Sequence, residues 1–183
     1  MGTIQINTPL TKADRSALKA GDHVRISGVI YTARDAAHKR MTENLAKGIE
    51  LPVELKDQLI YYVGPCPAKP GEIIGSAGPT TSGRMDLYTP ELLNHGLGAM
   101  MGKGNRSEMV INAMISHQAV YFGCVGGAGA LFQSLIKSSE LIAYEDLGTE
   151  AIRKLLVEDF PAIVVIDAQG NNLYETERKK FKR

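Results

Sequence analysis

This 183-residue chain has no tryptophan and only two cysteines, and its 21 Lys plus Arg nearly cancel its 20 Asp plus Glu, leaving a net charge of +1. Each shortage excludes something. Cys66 and Cys124 stand far apart, without a CxxC or a Cys/His cluster, so neither a zinc finger nor a disulfide framework can be written. Two thiolates also cannot complete the usual ligand set of an iron-sulfur cluster, which would have to come largely from another chain. A near-neutral balance argues against a dedicated nucleic-acid or membrane-surface protein, because those functions usually need a one-sided basic field. No apolar run approaches the roughly 20 residues of a membrane span. Met1-Gly2-Thr3-Ile4-Gln5 lacks the basic, apolar and small-residue order of a signal peptide, so a cytoplasmic protein is expected.

What is present suits a globular protein. A 44% hydrophobic content and this length fit a single domain over residues 1–183, burying about 70% of its unfolded surface. Strand-like and helix-like stretches alternate. Extended segments are expected at 24–31, 59–63, 73–77, 119–122, 141–144 and 163–167. Helices are expected at 35–47, 85–94 and 105–116, with a short apolar piece at 97–101 and a turn at 167–171. Such alternation predicts an α/β fold with a partly parallel, mixed sheet and flanking helices. Gly64 to Gly71, with prolines on both sides of Cys66, reads as a surface loop, and Arg178 to Arg183 as a solvated basic tail.

Three junctions share one design, an apolar stretch followed by Gly or Thr, a cationic side chain and a helix start: Tyr31 to Asp35, Gly78 to Asp86, and Met101 to Ser107. Ligands of open α/β sheets collect at the carboxyl ends of strands, where helix N-termini offer free N–H groups to anions. If the junctions converge, Arg34, Arg84 and Lys103 surround one cavity that calls for a dicarboxylate or a phosphate. Two phosphate motifs fail. Gly98 to Gly104 has the wrong glycine spacing for a P-loop and places Gly104 where Ser or Thr should hold magnesium. The glycine-rich Phe122 to Ala130 lacks the GxGxxG spacing and reads as close backbone packing.

Ala33-Arg34-Asp35-Ala36-Ala37-His38-Lys39-Arg40, Gly78-Pro79-Thr80-Thr81-Ser82-Gly83-Arg84-Met85-Asp86 and Gly102-Lys103-Gly104-Asn105-Arg106-Ser107 together resemble the β subunit of two-subunit class I fumarate hydratases. The likeness continues through Gly123 to Gly127, Leu147 to Ile152 and Val157 to Ala162, nearly the whole chain. It implies a swivelling β/β/α-type domain that pairs with an α subunit carrying a [4Fe-4S] cluster, as a heterodimer or an (αβ)2 heterotetramer. This chain itself would hold no metal. The implied reaction is reversible hydration of fumarate to (S)-malate, with Thr80 as the base and Arg34, Arg84 and Lys103 on the substrate carboxylates. His38, Asp86 and Asn105 stand as secondary candidates. Related tartrate dehydratase β subunits share the architecture, and Gly83, Asn105 and Arg106 favour fumarase over them. A non-catalytic anion-binding domain built on the same junctions is the third alternative.

The residues carry their own, plainer readings. Thr80 or Thr81 could simply cap a helix. A lone helical histidine such as His38 ordinarily packs or faces solvent, and His95 reads as a helix C-terminal residue. Asp35 and Asp86, each close behind a site arginine, are expected to orient that arginine or cap a helix.

Overall fold

The computed structural model describes residues 2–180. Its elements in chain order are β1 (Ile4–Thr8), α1 (Lys12–Ala17), β2 (His23–Thr32), α2 (Asp35–Ala46), β3 (Leu59–Tyr61), α3 (Thr89–Asn94), β4 (Ala99–Gly102), α4 (Glu108–His117), β5 (Val120–Gly123), α5 (Gly129–Ser134), β6 (Ile136–Ala143), β7 (Ile152–Ile166) and α6 (Leu173–Lys180). Short 3-10 segments lie at Ser82–Met85 and Glu145–Glu150. Among the described residues no helix is long and apolar enough to cross a membrane.

The strands form one seven-stranded mixed sheet in the order β1-β2-β3-β4-β5-β7-β6. Strands β1 to β5 run parallel to their neighbours, while β7 is antiparallel to β2, β5 and β6. The further β2–β7 pairing closes β2, β3, β4, β5 and β7 into a ring. Side chains then alternate between the inside of the ring and its helix-covered outside. Leu59, Tyr61, Ala99, Met101, Val120 and Phe122 join the inner core with Ile26, Ile30, Leu155 and Phe160. Ile60, Tyr62, Met100 and Tyr121 point outward onto Ala37 and Met41 of α2, Leu92 and Leu93 of α3, and Val110 and Met114 of α4. With both faces covered, β3 to β5 read as unbroken apolar runs, as parallel strands do.

The expected mixed α/β architecture is present, with several local corrections. Residues 73–77 are not a strand: glycines at 71, 75 and 78 and Pro79 break the run, Ile74 is buried and Ile73 exposed. The helix expected over 85–94 splits into the Ser82–Met85 turn and α3, with Pro90 in the first turn of α3, and residues 105–107 precede α4. Strand β7 spans 15 residues where only its last few were expected. The Gly64–Gly71 loop is exposed from Cys66 onward, while Pro65 is buried. The glycine-rich stretch is closely packed: a Cβ on Gly123 would stand 2.5 Å from the Val165 side chain, and one on Gly129 would stand 2.4 Å from Ser76 Oγ and 3.0 Å from the Gly78 backbone nitrogen. Of the basic end, Arg178 is exposed on α6, and residues 181–183 lie outside the described residues.

Candidate active site

Two of the three junctions start where a strand ends and lead into a helix: β2 runs into α2 through Ala33 and Arg34, and β4 runs into α4 through Lys103 to Ser107. The middle junction arrives differently. Residues 79–82 wedge between the continuations of β3 and β4, pairing Pro79 antiparallel with Val63 and Thr81 parallel with Lys103. The Thr80 N–H donates to the Tyr62 carbonyl at 2.8 Å, the Lys103 N–H to the Thr80 carbonyl at 3.3 Å, and the Ser82 N–H to the Lys103 carbonyl at 2.8 Å. Thr80 and Lys103 are therefore fixed side by side by backbone bonds, at the carboxyl end of the parallel strands. Gly102 makes this possible by close approach: a Cβ there would stand 2.2 Å from Ser82 Oγ and 3.1 Å from the Tyr62 ring. Gly104 then turns the chain at φ +84°, a region that favours glycine.

The two arginines meet through Asp35. Its Oδ2 accepts from Arg84 Nη2 at 2.8 Å, and its Oδ1 lies 3.5 Å from Arg34 Nη2. Arg34 Nη2 also lies 3.3 Å from Glu150 Oε1, and the Arg34 side chain crosses Gly64, where a Cβ would stand 2.9 Å from its Cδ and Nη1. Lys103 leans over Gly126, where a Cβ would come 3.8 Å from Nζ, and its ammonium has no hydrogen-bond or ion-pair partner among the described residues. The Thr80 hydroxyl and the exposed Asn105 side chain are likewise unpartnered among the described residues. So the three cations do share one end of the sheet, with two carboxylates already between them, leaving one positive charge in excess. That surplus suits a small anion, which would share the two guanidinium groups with Asp35 and Glu150.

Behind this surface sits a buried framework. Arg106, its side chain 0% exposed, lies between the rings of Tyr62 and Tyr121, with its Cζ 5.3 and 5.2 Å from their centroids. Its Nε donates to Asp86 Oδ1 at 2.7 Å and its Nη2 to Thr89 Oγ1 at 2.8 Å. Burial pulls the Arg106 pKa down, but Tyr62, Asp86 and Tyr121 outweigh it and leave it raised, so the guanidinium stays charged. The Tyr121 hydroxyl donates to the Gly104 carbonyl at 2.9 Å and in turn accepts from Ser82 Oγ at 2.9 Å. Together these bonds tie the loop bearing Thr80 and Arg84 to the loop bearing Lys103.

Of the plainer readings, those for Asp86 and the two threonines need revision, and those for Asp35 and His38 hold. Asp86 does not orient Arg84; it holds Arg106, and its Oδ2 accepts the Ser107 N–H at 2.6 Å, bracing the start of α4. Asp35 does hold its arginine, and also the one from the next junction. His38 is 0% exposed, its Nδ1 lies 2.8 Å from the Arg34 carbonyl, its ring meets Tyr62 edge-on at 5.2 Å, and its Nε2 has no hydrogen-bond partner. Burial lowers its pKa to about 4, so it is a neutral residue packed between α2 and the sheet. Thr81 is the N-cap of the Ser82–Met85 turn, yet its side chain makes no cap bond, and the Thr80 hydroxyl caps nothing either. The plain capping role therefore does not account for either threonine. Cys124 is buried, which raises its pKa, Cys66 is exposed, and among the described residues no group of three or more His, Cys, Asp or Glu could hold a metal ion. Glu150, Tyr62 and Tyr121 were not singled out from the sequence. No local signal marks Glu150, because its partners lie more than 100 residues away.

A family model described as Fumarase C-terminus matches residues 1–177. The class I fumarate hydratase, anaerobic, of Escherichia coli K12 is 42% identical over 176 residues, covering 94% of this chain and 32% of that protein. Fumarate hydratase 1, mitochondrial, of Leishmania major is 40% identical over 176 residues, again 94% of this chain and 32% of that protein. A putative L(+)-tartrate dehydratase subunit beta of Methanocaldococcus jannaschii is 37% identical over 177 residues, 93% of this chain and 91% of that subunit. The chain thus spans about a third of the fumarate hydratases' length but nearly all of the tartrate dehydratase subunit. By the extent of these matches, this chain belongs to the fumarase C-terminus family.

Proposed function

We propose that this chain is the single-domain β subunit of a hydro-lyase that adds water reversibly to fumarate, giving (S)-malate, and that it works in the cytoplasm only when joined to an α subunit as a heterodimer or (αβ)2 heterotetramer. The observation that carries this reading is that backbone bonds hold Thr80 and Lys103 on adjoining segments, the Thr80 hydroxyl and the Lys103 ammonium both unpartnered among the described residues, at the same end of the sheet as the Asp35-linked arginine pair. Its residues do not fit an iron-sulfur cluster: with one exposed and one buried thiol and no metal-ligand group among the described residues, a [4Fe-4S] cluster would belong to the α subunit.

Dehydrating malate means removing a proton from carbon beside a carboxylate, an acid that hardly ionises in water. Arg34 and Arg84 can each grip a carboxylate through two parallel hydrogen bonds, fixing the carbon skeleton against Thr80. As the proton leaves, charge builds on that carboxylate, and fixed cations lower the barrier without reorganising. Thr80 Oγ takes the proton. A neutral hydroxyl is a weak base, so it needs a cation close by to favour its ionised form, a role we assign to Lys103 on the adjoining segment once substrate is bound, and the hydroxyl's own proton passes to a base outside this chain. Arg106 and Asp86 keep the two loops in register, and Asn105 stands exposed at the rim.

The near full-length match to the tartrate dehydratase subunit favours L-tartrate dehydration as a second reading. Hydration assays with the purified chain alone, then with a cluster-loaded α subunit under anaerobic conditions, test both. The account expects no turnover alone and turnover in the complex, faster with malate than with tartrate. Turnover by the chain alone overturns the two-subunit reading, and a preference for tartrate moves the assignment to the dehydratase.

A further inference from the structure

Helix α2 begins without help from its own N-cap. Arg34 occupies that position, and its side chain makes no capping bond. A carboxylate from a distant part of the chain takes the role: Glu150 Oε2 accepts the Ala36 N–H at 3.0 Å. The other oxygen of the same carboxylate, Oε1, lies 3.3 Å from Arg34 Nη2. One rigid group therefore sets the guanidinium against the helix start it belongs to. Both side chains are mostly enclosed, 19% exposed for Arg34 and 21% for Glu150, so the pair is less screened than a surface ion pair.

The segment carrying Glu150 is itself anchored to β2. The buried Thr32 hydroxyl donates to the Ala151 carbonyl at 3.3 Å and accepts the Arg153 N–H at 3.0 Å. The Thr149 carbonyl closes the third side, 3.2 Å from where a Gly64 Cβ would stand. Arg34 is thus backed by Glu150, floored by Gly64 and linked to Arg84 through Asp35, all at the end of β2.

We infer that Glu150 is a positioning residue for substrate binding: it touches no substrate, but fixes the direction in which the Arg34 guanidinium meets a substrate carboxylate. This rests on the hydro-lyase reading of the same site. Glu150→Gln keeps an oxygen for the Ala36 N–H and removes the charge facing Arg34. In the assembled αβ enzyme we expect KM for malate to rise about 10- to 100-fold, the penalty for misplacing a binding group by roughly an ångström, with a much smaller change in kcat. In an Arg34→Lys background the same substitution should add about twofold or less, because both changes act through one guanidinium.

A second readout does not depend on turnover. Guanidinium 15N NMR of the full chain should show slow rotation about the Arg34 Cζ–Nε bond in the wild type and fast rotation in Glu150→Gln. Unchanged Arg34 rotation overturns the inference, as does freed rotation with an unchanged KM, or a KM effect of equal size in the Arg34→Lys background. Should the wild-type complex turn over neither malate nor tartrate, the function reading fails. Freed Arg34 rotation in Glu150→Gln would then still establish that Glu150 positions Arg34, and unchanged rotation would refute it.

Discussion

Replacing Asp86 by alanine strands a charge, and the consequence can be worked from the contacts around it. Arg106 is fully enclosed between Tyr62 and Tyr121, and Asp86, with a 14% exposed side chain, is the carboxylate it meets at 2.7 Å. Thr89 Oγ1, Tyr62 OH and Met100 Sδ supply its other contacts, all neutral. Removing one partner of a buried pair leaves an uncompensated ion, which costs about 3–5 kcal/mol. The Ser107 N–H also loses its acceptor, but that residue is exposed and water can replace the bond. A loss of about 4 kcal/mol is a large part of the roughly 5–15 kcal/mol that holds a domain folded. With a urea slope of about 2 kcal/mol per molar, the midpoint should fall by about 2 M. Far-UV circular dichroism suits the assay, since the chain has no tryptophan to report unfolding. Adding Arg106→Met removes the stranded charge and should restore more than half of the loss. A cost for Asp86→Ala below about 1 kcal/mol, or a double variant less stable than Asp86→Ala alone, refutes the argument.

Three further outcomes follow from particular contacts. His38 has its pKa lowered to about 4 by burial, so between pH 6.5 and 4 the unfolded chain binds the extra proton; stability is complete above pH 6.5 and falls by about 3 kcal/mol on the way to pH 4, and His38→Phe should flatten that slope in urea melts at several pH values. Gly102→Ala places a methyl 2.2 Å from Ser82 Oγ and 3.1 Å from Tyr62, and calorimetric or urea melts should show a loss of about 1–3 kcal/mol from overpacking. Gly64→Ala pushes on Arg34 Cδ and Nη1 from 2.9 Å, so in the assembled enzyme it should raise KM more than it lowers kcat.

Strands β3 and β5 were legible because burial on both faces leaves apolar runs that need no tertiary information, whereas β4, equally buried, showed only as a short apolar piece at 97–101. Strand β7 was not, since its first half carries Arg153, Lys154, Glu158 and Asp159 and alternates irregularly through shifted pairing with β2 and β6. Residues 73–77 misled in the opposite sense: Ile73-Ile74 looks extended, but only Ile74 reaches the core. Within the site, Arg34, Thr80, Arg84 and Lys103 stood out through repeated local grammar and family likeness. Asp86 was misassigned because sequence proximity pointed to Arg84, whereas the fold offers it the buried Arg106. Glu150 could not be seen at all, for an ion pair made across the fold leaves no periodicity behind.

The most direct test of the account is kcat for Thr80→Ala in the assembled αβ enzyme, with Thr80→Ser and the unfolding midpoint measured alongside. The hydroxyl neither caps a helix nor bonds to any described residue, so its removal should leave stability nearly unchanged. If Thr80 is the base, alanine should lower kcat by about 10²- to 10⁴-fold, while serine keeps a substantial part of the activity. An alanine variant that retains most of the wild-type turnover would contradict the claim that this chain supplies the base.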